Sequence, residues 1–584
     1  MKKFFSVSLC TLALLVLMLS LAACGNEYET FAPSGPSDDA ASGAENASTL
    51  NTYAPTEAPT SEITSEIPSE SASAPSDAPS DTPSASTPTE APTMDPLLAP
   101  FEELDFGGAE IVIALSQYVP YDIPRKSYQY IQGPESQGAD TVLNAVYERN
   151  LQVEEALGIS PRYVLTNLVG YDDIATNIAM NNNMPANEGP DLYIDQVCGM
   201  IRAQMEGRLM NVKTKARKNH FDFGDDKTKN ANGYYNAYMH GFNFASDEKM
   251  YLLAGDYFTD VARQMTLTAV NLSSFKEVFY KGDSKRPELG MGTDYLYNTV
   301  EAGEWTVDKM IEWSAAGGVY KDHNNNSQKD KDDRLGVLVY EGGYSAVSLL
   351  PSMDVSLYQV SEDGTQYKVG QSQQAFDAIS KWQEAFASHG VYLMKWGDAP
   401  NGNADLIKKF AGGDVLFALG VQLYQLENEE LKGMTDNVCL IPYPKLHASD
   451  PYCVTVSDTA CVGGVFVNTA DFEAVSAWVQ ASSVTSRKVL DEYCNVLLTP
   501  GESGEFGSVT MLDIAFANIA NPKWIVEADM LSSTGNAIEP DLHPTDCSRV
   551  TRDKSNYYVS KYAMSEQNLR SALGYYQKTF NGLD

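Results

Sequence analysis

What this 584-residue chain has little of narrows its function first. Basic residues are few: 41 Lys and Arg stand against 78 Asp and Glu, for a formal charge of −37. Nucleic acid and anionic lipid surfaces are gripped by Lys and Arg, so neither is expected as a partner. No two of the eight cysteines form a C-x-x-C pair, which removes the usual zinc spacing. Beyond Cys10 and Cys24 they are widely spread, at Cys198, Cys439, Cys453, Cys461, Cys494 and Cys547. Spacing assigns no disulfides among these six, and isolated buried thiols are an equal expectation. There is no G-x-S-x-G nucleophile turn and no H-E-x-x-H zinc helix, and the six histidines are scattered. Paired carboxylates of the glycosidase kind are uninformative among so many acids. The chain is therefore not expected to be an enzyme. After residue 23 no window approaches 18 unbroken apolar residues, the length at which a membrane span becomes a candidate.

The start of the chain reads in three parts. Lys2 and Lys3 precede an apolar run from Phe4 to Leu19, and Leu21-Ala22-Ala23-Cys24 follows. That is the layout of a secretory signal, and the tetrapeptide resembles a bacterial lipobox, with Cys24 as the lipidated first residue of the mature chain. Residues 1–23 are then the signal, and the protein is lipid-anchored on the outer face of the cell membrane. Residues 24–100 are Ser, Thr, Pro, Ala and acid, with thirteen Asp and Glu and no Lys or Arg. Such a segment buries too little to offset its conformational entropy, so a disordered stalk is expected.

From about residue 105 some 480 residues remain, too many for one core. Apolar runs at 109–115, 160–167 and 191–197 read as strands. Between them, 141–158 and 171–183 have helical spacing. This β-α-β-α-β order implies a largely parallel sheet with right-handed crossovers. Ligands meet the carboxyl ends of strands in such sheets, which selects Gln117, beside Ser116 and Tyr118, and Asp195 with Gln196. The middle is more helical, with Thr306 placed to cap a helix containing Trp305 and Trp313 or starting beside them.

The order of motifs (lipobox, stalk, YERNLQVEEALGI, MEGRLMNV, GEWTVDKM, an Asp-Asn loop, FAGGDVLFALG, IPYPK and MLDIAFANIA) resembles that of extracellular solute-binding lipoproteins of ABC importers, of the carbohydrate type found in Gram-positive bacteria. The resemblance covers nearly the whole chain except the stalk. It implies a two-lobed α/β, periplasmic-binding-protein-like fold with a solute cleft between lobes. Mapped here, lobe 1 is 105–262 plus 446–484 and lobe 2 is 263–445 plus 485–584, with IPYPK as a return crossing. It implies that the segment after FAGGDVLFALG lines the cleft, which brings in Gln422 and Tyr424. Tyr344, after a strand, joins them as a ligand candidate. The partners implied are a small solute of sugar type and the transmembrane subunits of a permease, with the protein itself a monomer. Aromatic faces and Asp, Asn and Gln side chains suit a sugar, though most of the 33 Tyr and six Trp, including the helix-borne Trp305, Trp313 and Trp382, belong equally well to a core. A glycan-active enzyme or a glycan-binding adhesin is the alternative.

One loop raises a metal question. In KDHNNNSQKDKDDRLG, Asp322, Asn324, Asn326, the Gln328 carbonyl, Asp330 and Asp333 occupy the ligand positions of a calcium loop. Ser327 stands where glycine makes the sharp turn, and Asp333 is shorter than the usual Glu. No cofactor is required by this reading; a weakly held structural calcium is the one ion the loop could take, and a solvated Asx-rich turn is the other reading.

Overall fold

The computed structural model describes residues 94–117, 126–166, 171–181, 184, 188–279, 293–361, 367–369, 372–498, 507–520, 522–533, 542 and 555–583. All belong to one compact unit, Pro92–Asp584. The signal, Cys24 and the stalk up to residue 93 lie outside the described residues, as do Tyr118 and Cys547.

Among the described residues eleven strands form two main sheets and a hairpin. In the first sheet β1 (Ala109–Ser116) lies parallel to both β2 (Ile159–Thr166) and β3 (Leu192–Gln196). The second holds β4 (Thr266–Asn271), β5 (Leu335–Tyr340), β8 (Val391–Met394), β9 (Val415–Gln422) and β10 (Val438–Ile441). The hairpin pairs β6 (Tyr358–Val360) with β7 (Tyr367–Val369). The chain returns to the first sheet as β11 (Cys461–Val465), antiparallel to β3, giving the order β11-β3-β1-β2. The second sheet has the order β10-β4-β9-β5-β8, with β9, β5 and β8 mutually parallel. This is the two-sheet α/β fold expected from the sequence.

The helices form where the apolar spacing placed them. Thr141–Leu157 starts on Asp140, whose carboxylate accepts from the amides of Val142 and Leu143. Its YERN segment is structural: Arg149 donates to the Tyr130 and Ile131 carbonyls, and Asn150 to those of Ile131 and Gln132. These bonds fix the short turn Gln129–Gln132 against the helix. Thr306 caps Val307–Ser314 through Lys309 N, as expected. Trp305, Trp313 and Trp382 are all core: Trp305 stacks on Trp313 at 5.5 Å, and the Trp382 indole donates to the Leu349 carbonyl.

Two boundaries differ from the sequence reading. The stalk does not run to residue 100. Pro96–Phe101 forms a 3-10 turn capped by Asp95, and buried Leu98 and Phe101 pack it on the helices Thr141–Leu157 and Phe472–Thr485. Leu97, Leu98 and Phe101 were apolar enough to be held, but the stretch before them hid the change. The tail also does not belong to one lobe. Arg487–Leu497 packs on Thr141–Leu157 of the first lobe, whereas Gly507–Ala517 lies on β10. The helix Lys523–Ser533 and the long Ser555–Asn581 reach both sides: Asp529 pairs with Arg202 at 2.6 Å, and Lys523 with Asp354 at 3.1 Å. Among the described residues no helix is long and apolar enough to cross a membrane. The five described cysteines of the head are buried.

Candidate functional site

Strand direction brings two edges together. β1, β2 and β3 all end on one edge of the first sheet, and β11 enters there, Cys461 opposite Gln196. In the second sheet β9 ends opposite the start of β4, Gln422 beside Thr266. β5 and β8 end on that same edge. The segments that join the sheets leave from these two edges and ladder onto one another. Met265 bridges Val456, with Thr266 N donating to Thr455 O at 2.8 Å and Ser457 N to Gln264 O at 3.2 Å. A third segment joins them where Val454 N donates to Asn518 O at 2.8 Å.

The connector carries a buried polar network. Arg263, 1% exposed, donates to Asp260 at 3.0 Å and to Glu427 at 3.2 Å. Its guanidinium lies 4.4 Å from the centre of the Tyr130 ring and 5.7 Å from that of Tyr493, a cation–π sandwich. Tyr493 OH donates to Glu427 at 2.7 Å. Asp260 also accepts from Ser127 Oγ, Gln264 Nε2 and Cys461 N. One buried arginine thus ties the first lobe (Tyr130, Tyr493), the connector (Asp260) and the end of β9 (Glu427). Removing water from these charges is costly, and the multiple hydrogen bonds are what make the burial tolerable.

The first-lobe edge is lined by hydroxyls and one carboxylate. Asp195, 3% exposed, accepts from Gln196 N at 2.8 Å and from Thr166 Oγ1 at 3.3 Å, with the Ser116 hydroxyl as a further donor. Burial pushes its carboxyl up to about 6, against those three hydrogen bonds, which pull it down. Beside it Ser116, Ser127, Asp260 and Cys461 border a cavity of about 10 Å³, the size of a single water. Gln196 is buried at the same strand end, and Gln117 is exposed at the rim, its amide bonded to Thr166 O.

The second-lobe edge is aromatic. Tyr344 is half-buried, and its hydroxyl meets Thr459 Oγ1 of the connector at 3.5 Å. Thr459 in turn donates to Gln264 Oε1 at 2.8 Å. Gln422 is fully buried: it caps the turn Leu423–Glu427 reciprocally with Gln425, and its amide donates to Gln264 O at 3.1 Å. Tyr424 is buried within that turn. Gly420 makes the edge possible. With φ at +100°, it passes so close to Ser345 that a Cβ would sit 2.6 Å from Ser345 Cα.

The sequence candidates therefore fall into three groups. Asp195 and Gln196 lie at one edge, Tyr344 at the other, and both edges touch the segment 457–461, where Val197 N donates to Ala460 O and Cys198 N to Asp458 O. Gln422 and Tyr424 are joints of the connector rather than a surface. Asp260, Arg263, Gln264 and Thr459 were missed. The FTDVARQM run offered one signal, an acid and an arginine three apart at the foot of an apolar strand.

The 322–333 loop lies apart from both edges, between Val307–Ser314 and β5. Its expected oxygens are turned onto the chain: Ser327 N donates to Asp322, Asn326 N to Asn324 Oδ1, Gln328 N to Asn326 Oδ1, and Asp330 N to Asp333. Ser327 adopts the left-handed φ of 60° that glycine favours. Asn324 and Asn326 both donate to Asp330 Oδ2, at 3.0 and 2.6 Å, and hold its carboxyl below the usual range. Lys329 donates to the carbonyls of Ser388 and Val391, stapling the loop to the start of β8. Among the described residues no three His, Cys, Asp or Glu side chains gather as a metal set. A calcium ion here would be held by Asp322, Asn324, Asn326, Gln328 O, Asp330 and Asp333, and would displace the two Asn–Asp330 bonds.

No family model and no curated protein matches the chain. Among solved structures it is similar to an extracellular solute-binding protein of Staphylococcus aureus in complex with maltose, with 12% identity, 79% of this chain and 98% of that chain covered, and a TM-score of 0.43. It is also similar to a family 1 extracellular solute-binding protein from Bifidobacterium longum subsp. infantis (11%, 82% and 100%, 0.41). A third is an ABC transporter solute-binding protein from Thermotoga lettingae bound with alpha-D-tagatose (13%, 80% and 100%, 0.40). Likenesses at this level transfer no residue roles.

Proposed function

We propose that this chain is the solute-capturing component of an ABC uptake system. It is tethered through Cys24 outside the cell membrane and hands a sugar-type solute to the permease subunits as a monomer. The observation that carries this reading is the meeting of two strand-end edges, Asp195 on one and Tyr344 on the other, across connectors laddered at Met265–Val456. A solute that touches both edges binds the closed arrangement more tightly than the open one and shifts the population toward closure. The first edge offers hydroxyls and a carboxylate for sugar hydroxyls, and the second offers ring faces. The 322–333 loop is a staple of the second lobe in this reading, with calcium at most a weak addition to it.

The test is small-angle scattering combined with intrinsic fluorescence across a panel of mono-, di- and trisaccharides. Closure predicts a smaller radius of gyration at saturation. A saturated protein of unchanged radius overturns the closure mechanism; absence of binding to every saccharide overturns the solute class.

A further inference from the structure

Five of the six tryptophans are at most 2% exposed; Trp396 is 48% exposed. Its place in the register explains why this matters. Val339 of β5 lies opposite both Leu393 of β8 and Leu419 of β9. Beyond that row β5 and β8 leave the sheet towards Gly342 and Trp396, and β9 continues past its bulge at Gly420 to Gln422, all on the connector edge. Gln422 is the joint to Gln264, and Trp396 is two strands outward, about 10 Å away at roughly 4.8 Å per strand spacing.

The ring is held in place. A Cβ on Gly342 would lie 2.5 Å from the indole Cζ2, so the six-membered ring rests directly on the glycine backbone. Tyr340 meets it edge-on at 5.3 Å and 66°. The Trp396 amide donates to Glu341 Oε1 at 2.6 Å, and Glu341 Oε2 lies 3.8 Å from Lys395 Nζ. A large apolar ring is thus kept exposed on the edge of the parallel strands, with an acid and an amine beside it. Tyr344 follows Gly342 by two residues, and its hydroxyl meets Thr459 of the connector at 3.5 Å.

We infer that Trp396 is the outer stacking platform of the solute site, and that the solute is a saccharide of at least two pyranose rings. This rests on the solute-capture reading above. The apolar C–H face of a pyranose fits an indole face, and the Glu341 carboxylate and Lys395 amine take its rim hydroxyls. A single ring at the connector would leave the platform at the end of β8, two strands out from β9, empty; a chain of two or more spans both.

The experiment is titration calorimetry of the wild type, Trp396→Ala and Trp396→Phe with mono-, di- and trisaccharides of glucose, galactose, mannose and xylose, alongside acrylamide quenching. The wild type is expected to bind a di- or trisaccharide more tightly than its monosaccharide. Trp396→Ala should weaken the longer ligand by roughly five- to tenfold, the scale of one aromatic stacking contact, with Trp396→Phe between. Saccharide should protect wild-type fluorescence from acrylamide and leave that of Trp396→Ala unprotected. Equal affinity of Trp396→Ala and wild type for a bound disaccharide overturns the platform while solute capture stands. Binding of monosaccharides alone overturns the extended ligand. No saccharide binding and no change in radius overturns both readings together.

Discussion

The two facing edges are built from different chemistry on the same topology. The first ends in short polar side chains, Ser116, Thr166 and Asp195, with a water-sized cavity bordered by Ser116. The second ends in rings, Tyr340, Tyr344 and Trp396, at the ends of the neighbouring parallel strands β5 and β8. Short side chains direct hydrogen bonds from fixed backbone positions, whereas rings supply area without direction. In the proposed function, a solute between them would meet hydrogen-bonding groups on one wall and ring faces on the other. The connector belongs to neither: its buried Arg263 joins both.

Breaking that shared joint should have the largest effect. Arg263→Ala leaves Asp260 and Glu427 buried without their cation and is expected to cost about 3–5 kcal/mol. Denaturant unfolding should show this as a lowered midpoint, and an unchanged midpoint would mean the edges are held independently. The next test separates the walls by pH. Burial holds Asp195 near 6 when folded, above the free carboxylate value of about 3.9. The folded state therefore binds this proton more tightly than the unfolded state does. Its stabilising contribution is complete below about pH 4 and is lost as pH rises through about 6. Asp195→Asn should consequently raise stability at pH 7 by about 2–3 kcal/mol and weaken solute binding. Asp256, also near 6 through burial and bonded by Tyr235 OH at 2.7 Å, should leave a second dependence of the same sign in that variant. A variant as pH-sensitive and as stable as the wild type would remove Asp195 as the source.

Gly420→Ala addresses the aromatic wall alone. Strain at a positive φ and the clash with Ser345 should cost about 2 kcal/mol and lower affinity through Tyr344. Full stability in that variant would show that the helix Gly343–Val347 gives way freely. The smallest effect lies far from both walls. At millimolar calcium, binding of the weak extracellular kind to the 322–333 loop is worth about 1 kcal/mol, one or two degrees in melting temperature. A melting temperature unmoved by calcium or chelator would leave hydrogen bonds and Lys329 as the whole of the loop's closure.

Much of this was legible along the chain. Alternating strands and helices, and the cap at Thr306, follow from local spacing and side-chain chemistry, and the structure carries them. Asp195 and Tyr344 were nominated because strand ends are the ligand edge of a parallel sheet, and both lie at strand ends. Gln422 was nominated by resemblance, yet it is buried in a joint, because the turn after β9 folds back on the connector. Trp396 went unnoticed for the opposite reason. Six tryptophans look alike in a sequence, and only packing decides which ring stays outside.

The sequence by itself determined the acidic character, the lack of zinc-type and nucleophile motifs, and the order of strands and helices. These depend on composition and on contacts within a few residues. Tertiary structure alone decided that Arg263 meets Glu427 and Tyr493, that Asp195 is buried enough to be pushed above the usual carboxylate range, and that Trp396 lies exposed on Gly342. Each of these depends on residues far apart in the chain arriving at one place. Burial and close approach are properties of that arrival, not of any single segment.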